Sequence, residues 1–589
     1  MSESSTHPLR LSPPMLIVLL LSWCIIGCNG DEPKPAANAT NEIATVQQKD
    51  DERCANILNS VFDMVQPDRL GISSEIDSAV TLLNEWHGLC GKPVDASATP
   101  AELAADVQRI VPEDYHTDLT ASRFLSRDLL HFRNCLLFRK MAYTVIANSD
   151  DELNRVVDLF YYVTRNISLP NPGDSIIPLT PYEVCIFGKG TAEDRAAIFA
   201  GMLRQINIDA VIIRPASAMP AETEEETADE ESESEENDSA PPRNPFLVGV
   251  ILGDNVHLFD THLGLPIPSK ADVESNSPIV RIPATYSDAL GDEAILQELT
   301  TDPLRPYPIQ SASLKNSEIE VIGDTGLWAQ RMQQLQDATS GDRTVLLYDP
   351  LEDLPDQTGA LSRVAAVKTA SWKREELGIW KYPEEMIRQM EALQADPPYI
   401  NKFGEKRFSL DAPALVVNEQ NENNQLDAKF GPPTARTLKT RIQQLLGNYK
   451  EAVSSYVTVK LDCIAVLKTQ EIPPQIKLMH AWAFDDSSYW IALSQLEQED
   501  AKSAEDSLRN YLNNFRGSTG RWTFPAGDLV AMLLAQQGKT SGAIFFLEKI
   551  PPEAPQRPAH EYLLKRWKAI RDAQKKPDAP ADDKTKSES

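Results

Sequence analysis

Basic residues are in short supply: 57 Lys and Arg stand against 87 Asp and Glu over 589 residues, a net charge of −30. That surplus repels phosphate backbones and anionic head groups, so it argues against nucleic-acid binding through surface charge and against an acidic partner surface. Seven cysteines in such a length exclude a disulfide-dense scaffold. None of them shows C-x-x-C spacing, so neither a zinc site nor a dithiol redox motif is signalled, and no cofactor motif stands out. The apolar run Met15 to Ile26 is only about twelve residues long, short of the roughly 20 that a membrane-spanning helix needs. What is present is 42% hydrophobic residues and 42 prolines, a composition of several globular domains joined by extended linkers.

Arg10 precedes that apolar run, as in the core of a signal peptide. The run ends in Ile25-Ile26-Gly27-Cys28, which resembles the bacterial lipobox. The resemblance implies that residues 1–28 are a lipoprotein leader, that Cys28 carries lipid, and that the protein is anchored in the bacterial cell envelope, facing the periplasm or the outer surface. The bland alternative is an ordinary secretory leader with Cys28 incidental. Residues 29–51 have no apolar period and read as a flexible tether. Of the later cysteines, Cys54, Cys90, Cys135, Cys185 and Cys463, one or two disulfides are compatible with export but cannot be paired from spacing.

Residues 52–148 carry apolar positions at intervals of three and four, including Val80, Leu83 and Trp86 and then Phe132, Leu136 and Leu137, and read as a helical region. Ser149-Asp150-Asp151-Glu152 has capping-box form and opens a helix with the stripe Val156, Val157, Phe160 and Val163. A second helix starts at Gly188-Lys189-Gly190-Thr191 and leads to a strand, Ala210 to Ile213. Val184 to Phe187 reads as strand-like, and Gly253-Asp254-Asn255 as the turn of a hairpin. Residues 221–240 hold eleven Asp or Glu and no Lys or Arg, so they read as a solvated, disordered insertion. Residues 291–417 read as a small α/β region, with strand, helix and strand at 319–322, 327–335 and 345–348. A polar linker follows at 418–434, then helices over 435–571 and a charged tail at 572–589.

Three segments of the helical end superimpose: Gly447-Asn448-Tyr449-Lys450-Glu451-Ala452 with Tyr456, Glu499 to Ala504 with Leu508, and Gly538 to Ala543 with Leu547. They resemble tetratricopeptide repeats, whose second helix carries such an alanine where two helices approach closely. The alanines are 52 and 39 residues apart, not a regular 34, and an unrelated helical bundle is the alternative.

The segment Asp151 to Ile167, then Gly190-Thr191-Ala192-Glu193-Asp194-Arg195-Ala196-Ala197-Ile198-Phe199, then Leu203 to Ala210 looks like the transglutaminase-like superfamily. The resemblance implies an α+β, papain-like middle domain over 149–290, in a multidomain chain that is mainly α and ends in a helical-repeat domain. Active members place a cysteine at the helix start, where orphan N–H groups favour thiolate, with a histidine base and an orienting aspartate on following strands. Laid on this chain, the cysteine position is Ala192, the histidine position Asn244, and only Asp260 survives. Alanine has no nucleophilic atom and the asparagine amide is no base, so the inherited chemistry cannot run.

Three substitutes are open: Thr191, which with Asp194 fits a helix N-cap; Cys185, which also fits a small buried hydrophobe; and His257 or His262 beside Asp260, where strand alternation puts His262 on the face of Asp260. The spacing supplies no metal ligand set. The expectation is a noncatalytic envelope lipoprotein that binds a protein or peptide through its helical repeats. The alternative is a cysteine protease or acyl transferase whose nucleophile has moved to Cys185.

Overall fold

Nothing between Ala37 and Met64 breaks a helix, since the segment lacks both Pro and Gly. In the computed structural model, which describes residues 37–69, 73–91, 105–147, 149, 151–171, 178–216, 245–339, 341–395, 433–469, 474–515 and 520–575, that whole stretch is helix α1 (Ala37–Met64). The segment expected as a tether over 29–51 is therefore helical from Ala37 onward. The leader with Cys28, the acidic run 221–240, Asn244, the linker as far as 432 and the tail from 576 lie outside the described residues.

Helices α2 (Ser73–Cys90), α3 (Ala105–Ile110), α4 (Glu113–Thr120) and α5 (Ser126–Ile146) complete the expected helical region. Cys54 and Cys90 form a disulfide, the pairing that spacing left open, while Cys135, Cys185 and Cys463 are free and buried. Phe62 meets Phe132 edge-on at 4.9 Å in the small core these helices share. In the same region His131 sits 3.2 Å from Asp324. Burial alone would lower the imidazole pKa, but Asp324 outweighs it and holds His131 well above its usual range. The imidazolium in turn overcomes the burial of Asp324 and holds its carboxyl down to about 2.

Asp151, not Ser149, caps α6 (Glu152–Asn166), its carboxylate accepting from the Asn154 N–H at 2.9 Å. Val184 to Phe187, expected as strand, is the end of a helix, α7 (Pro181–Phe187). Thr180 and Glu183 form a capping box with Pro181 at its first turn, and Gly188 ends the helix at φ 65°, so the local start and stop signals override β-propensity. Helix α8 (Ala192–Arg204) follows and leads to β1 (Ala210–Arg214), β2 (Leu247–Leu252), β3 (Asn255–Asp260) and β4 (Leu265–Pro266), with the expected hairpin turning at Gly253. Phe160 on α6, Phe199 on α8 and Phe259 on β3 meet with centroids 5.0–5.4 Å apart. One aromatic cluster thus fixes both helices to the sheet.

Short helices α9 (Lys270–Glu274), α10 (Tyr286–Gly291), α11 (Glu293–Gln297) and α12 (Ser311–Leu314) precede β5 (Glu318–Ile322). Then come α13 (Thr325–Trp328), α14 (Gln330–Ala338), α15 (Ala360–Ala365), β6 (Leu377–Trp380) and α16 (Tyr382–Ala395). The six strands form one mixed sheet, ordered β4-β3-β2-β1-β5-β6 and antiparallel except for the parallel pair β5–β6. The region read as a separate α/β element therefore extends the sheet of the middle module, and its second strand is β6 instead of 345–348. Residues 345–348 fail to join a ladder because side chains take their backbone groups. Gln205 pairs with Leu346 at 2.8 and 3.1 Å, and Gln336 accepts from Leu347 and Tyr348 at 2.7 and 3.0 Å.

The C-terminal part is helical: α17 (Pro433–Leu445), α18 (Tyr449–Leu467), α19 (Pro474–Glu497), α20 (Ala501–Asn514), α21 (Thr523–Gln536), α22 (Thr540–Glu548) and α23 (Arg557–Lys575). The three matching segments fall at one structural position. Ala452, Ala504 and Ala543 are the fourth residues of α18, α20 and α22, fully buried, with buried Tyr456, Leu508 and Leu547 one turn on. Five residues before each alanine the chain turns left-handed, at Gly447 (φ 86°), Glu499 (φ 62°) and Gly538 (φ 73°). The irregular spacing lies in helix length: α18 and α19 have 19 and 24 residues, against 14 each for α20 and α21. Arg441 of α17, fully buried, donates to the Asn166 side chain and carbonyl at 3.0 Å each and to the Cys185 carbonyl at 3.3 Å. That clamp docks the helices on the sheet module.

Candidate functional site

The start of α8 is closed by the chain's own side chains. Ala192 opens α8 and is buried. Two N–H groups at this helix end are taken within the chain: Thr191 Oγ1 accepts from the Asp194 N–H at 3.2 Å, and Asp194 Oδ2 accepts from the Thr191 N–H at 2.8 Å. Tyr382 donates to Asp194 Oδ1 at 3.1 Å, its oxygen lies 3.1 Å from Thr191 Oγ1, and its ring stacks on Trp380 at 5.3 Å. Burial pushes the Asp194 carboxyl up to about 6 despite these donors. Thr191 is thus an N-cap, as its sequence context implied.

Asp260 ends β3 and is buried. Its Oδ1 accepts from the backbone N–H groups of His262 and Leu263 at 2.8 Å each, and Tyr307 donates to Oδ2 at 2.7 Å. Burial raises its pKa against these donors and the neighbouring His262. His262 lies in the turn after β3, outside the strand, so alternation along β3 does not place it. His257 points to Pro283 and Asp288 on other segments, and burial lowers its pKa. Cys185 is 1% exposed, and burial pushes its thiol up to about 12; the charges bearing on it are Arg441 and Asp194, not an imidazole. Among the described residues no group of three or more His, Cys, Asp and Glu side chains could hold a metal ion.

The turn that Asp260 holds leads to a different site. Arg195, one helical turn past Ala192, is fully buried and donates to three carbonyls: Ile167 at 2.8 Å, Thr261 at 3.0 Å and Thr164 at 3.3 Å. It lines a cleft of about 480 Å³ between the sheet module and the C-terminal helices. Its lining includes Asp158, Tyr161 and Arg165 of α6, Leu263 to Leu265, Leu529, Met532 and Leu533 of α21, and His560 and Leu563 of α23. Burial lowers the Arg195 pKa to about 9, resisted by Asp528, Tyr489 and Asp260. Gln556 bridges Arg195 and Asp528, its oxygen accepting from Nη1 at 3.3 Å and its nitrogen donating to Oδ2 at 3.1 Å. His560 Nε2 sits 2.6 Å from Asp528 Oδ1.

The charges in the cleft are internally matched, with Arg281 2.6 Å from Asp158 and Arg165 3.2 Å from Glu497. Several buried polar atoms make no hydrogen bond: Tyr489 Oη, Arg165 Nε, Asp528 Oδ1 and both ring nitrogens of His560, although Tyr489 and His560 are only 1% and 3% exposed. Sequence reasoning missed this site. Arg195 was its one visible trace, a charge on the same stripe as Ile198, Phe199 and Met202 and therefore facing the core. Comparisons of the chain with protein-family models, with curated proteins and with solved structures return no match.

Proposed function

We propose that this is a noncatalytic, membrane-anchored envelope lipoprotein that holds a protein or peptide partner between a degenerate transglutaminase-like module and tetratricopeptide-like helices. The observation that carries the reading is the cleft, in which matched ion pairs lie beside the apolar side chains of α21 and α23. The closure of the α8 start by Thr191, Asp194 and Tyr382 supports the noncatalytic half, and the depth and raised pKa of Cys185 weigh against a relocated nucleophile. The Cys54–Cys90 disulfide supports an oxidising compartment. Among the described residues no helix is long and apolar enough to cross a membrane, so the anchor in this reading is the lipid on Cys28.

The test is an assay of the purified full chain for thiol-dependent hydrolysis or transamidation of amide substrates, with peptide binding measured in parallel. The expected result is no turnover, and binding that is lost in Met532→Arg. Turnover that disappears in Cys185→Ala would overturn the noncatalytic reading.

A further inference from the structure

The surplus of acid is not shared evenly along the chain. From Pro433 to Phe484 the sequence has seven Lys or Arg against three Asp or Glu, the reverse of the whole. Helix α18 and the first part of α19 lie in this stretch. Val459 and Cys463 of α18 pack with Ala483 and Phe484 of α19 in a small core apart from the one the other helices share. Helix α19 begins nine residues before Ala483, about 13 Å of helix at 1.5 Å per residue, so the end where the two helices are joined extends past that core. Four of the ten large apolar side chains exposed among the described residues belong to this pair: Val457, Leu461, Ile476 and Leu478, at 41–61%. Val457 and Leu461 lie one turn apart, on the face of α18 away from its buried Ala452, Tyr456 and Cys463. Between Cys463 and Met479 the charges are Lys468, Lys477 and one acid, Glu471, and both lysines are exposed. Asp462 beside this end is matched by Arg436 at 2.7 Å. Exposed aliphatic side chains flanked by lysines suit a bilayer interface, where the apolar groups enter by roughly 5–10 Å and the ammonium groups stay among the head groups. Such a contact needs no spanning helix, and no described helix is long and apolar enough to be one.

We propose that the joined end of α18 and α19 docks on an anionic bilayer surface, with Leu461, Ile476 and Leu478 as its apolar contact and Lys468 and Lys477 on the head groups. The inference rests on the envelope-lipoprotein reading above for the presence of a bilayer, and it adds a membrane contact besides the lipid on Cys28.

The experiment attaches an environment-sensitive fluorophore to Leu478→Cys in the full chain and, as a control, to Leu304→Cys, a leucine outside this region that is 90% exposed. Quenching by lipids spin-labelled near the head group is read in vesicles of phosphatidylcholine alone and in vesicles with about 30% phosphatidylglycerol. In the anionic vesicles the probe at 478 is expected to be quenched at least about fivefold more than the probe at 304. Replacing both exposed lysines, Lys468→Glu with Lys477→Glu, is expected to cut that quenching at least about threefold without lowering the unfolding midpoint. Equal quenching at 478 and 304, quenching as strong without phosphatidylglycerol, or no effect of the lysine replacements would overturn the inference. So would a probe at 478 already shielded in vesicle-free protein, which would assign this end to another part of the chain or to a second copy. A probe at 478 left unquenched on a chain that floats with the vesicles would overturn the inference, turn this end over to a protein partner and leave the lipid anchor standing. Quenching at 478 in a chain whose Cys28 carries no lipid would uphold the inference and overturn the anchor. A chain that neither floats with vesicles nor shows quenching would overturn both.

Discussion

At the start of α8, Thr191, Asp194 and Tyr382 hydrogen-bond to one another. One turn along the same helix, Arg195 reaches a cleft in which Tyr489, Arg165 and His560 keep polar atoms without partners. The first place is closed by its own capping residues; the second opens into a cleft. Polar groups completed from within the chain stabilise it, whereas buried groups left incomplete cost it stability. Asp260 bears on the second, because its carboxylate holds the turn whose Thr261 carbonyl seats Arg195.

The largest expected effect comes from a fully partnered pair. Asp324→Asn should cost about 3–5 kcal/mol near pH 6, because it leaves the buried His131 imidazolium alone. The pH dependence separates the partners. Asp324, held down to about 2, contributes stability that is present above its unfolded value near 4 and lost as pH falls toward 2. His131, held above its usual value, contributes stability that is present below about pH 6.5 and lost as pH rises through its raised pKa. Chemical denaturation across pH 2–9 would show the wild-type advantage over Asp324→Asn shrinking at the acidic end; a constant difference would contradict the pairing.

Smaller and opposite effects are expected from two hydroxyl deletions. Tyr382→Phe removes donation to Asp194 and should cost about 1–3 kcal/mol. Tyr489→Phe removes an unpartnered hydroxyl and should be neutral or stabilising by up to about 1 kcal/mol. Denaturant midpoints of the two variants check this contrast, and equal losses would erase the distinction between the regions.

Much of the scaffold was legible because local chemistry dictates it. The Thr191 and Asp194 cap, the Gly253 hairpin and the three alanines of the helical end each need only a few neighbouring residues. Local signals also explain one misreading, since the Thr180 and Glu183 capping box makes Cys185 helical although its neighbours favour a strand. The rest depends on distant partners. Nothing near residue 192 announces that Tyr382 will close the helix end, and nothing near residue 346 announces Gln205. His560, Asp528 and Arg195 meet only after three separate elements have packed.

Native-state alkylation of Ala192→Cys and Met532→Cys, measured against the background of the buried Cys135, Cys185 and Cys463, compares the two regions directly. The Met532→Cys thiol should react at close to the rate of an exposed cysteine, and the Ala192→Cys thiol at least about a hundredfold more slowly, consistent with burial and the hydrogen-bonded closure above it. Equal rates, or faster reaction at position 192, would place the accessible site at the start of α8 and contradict the account.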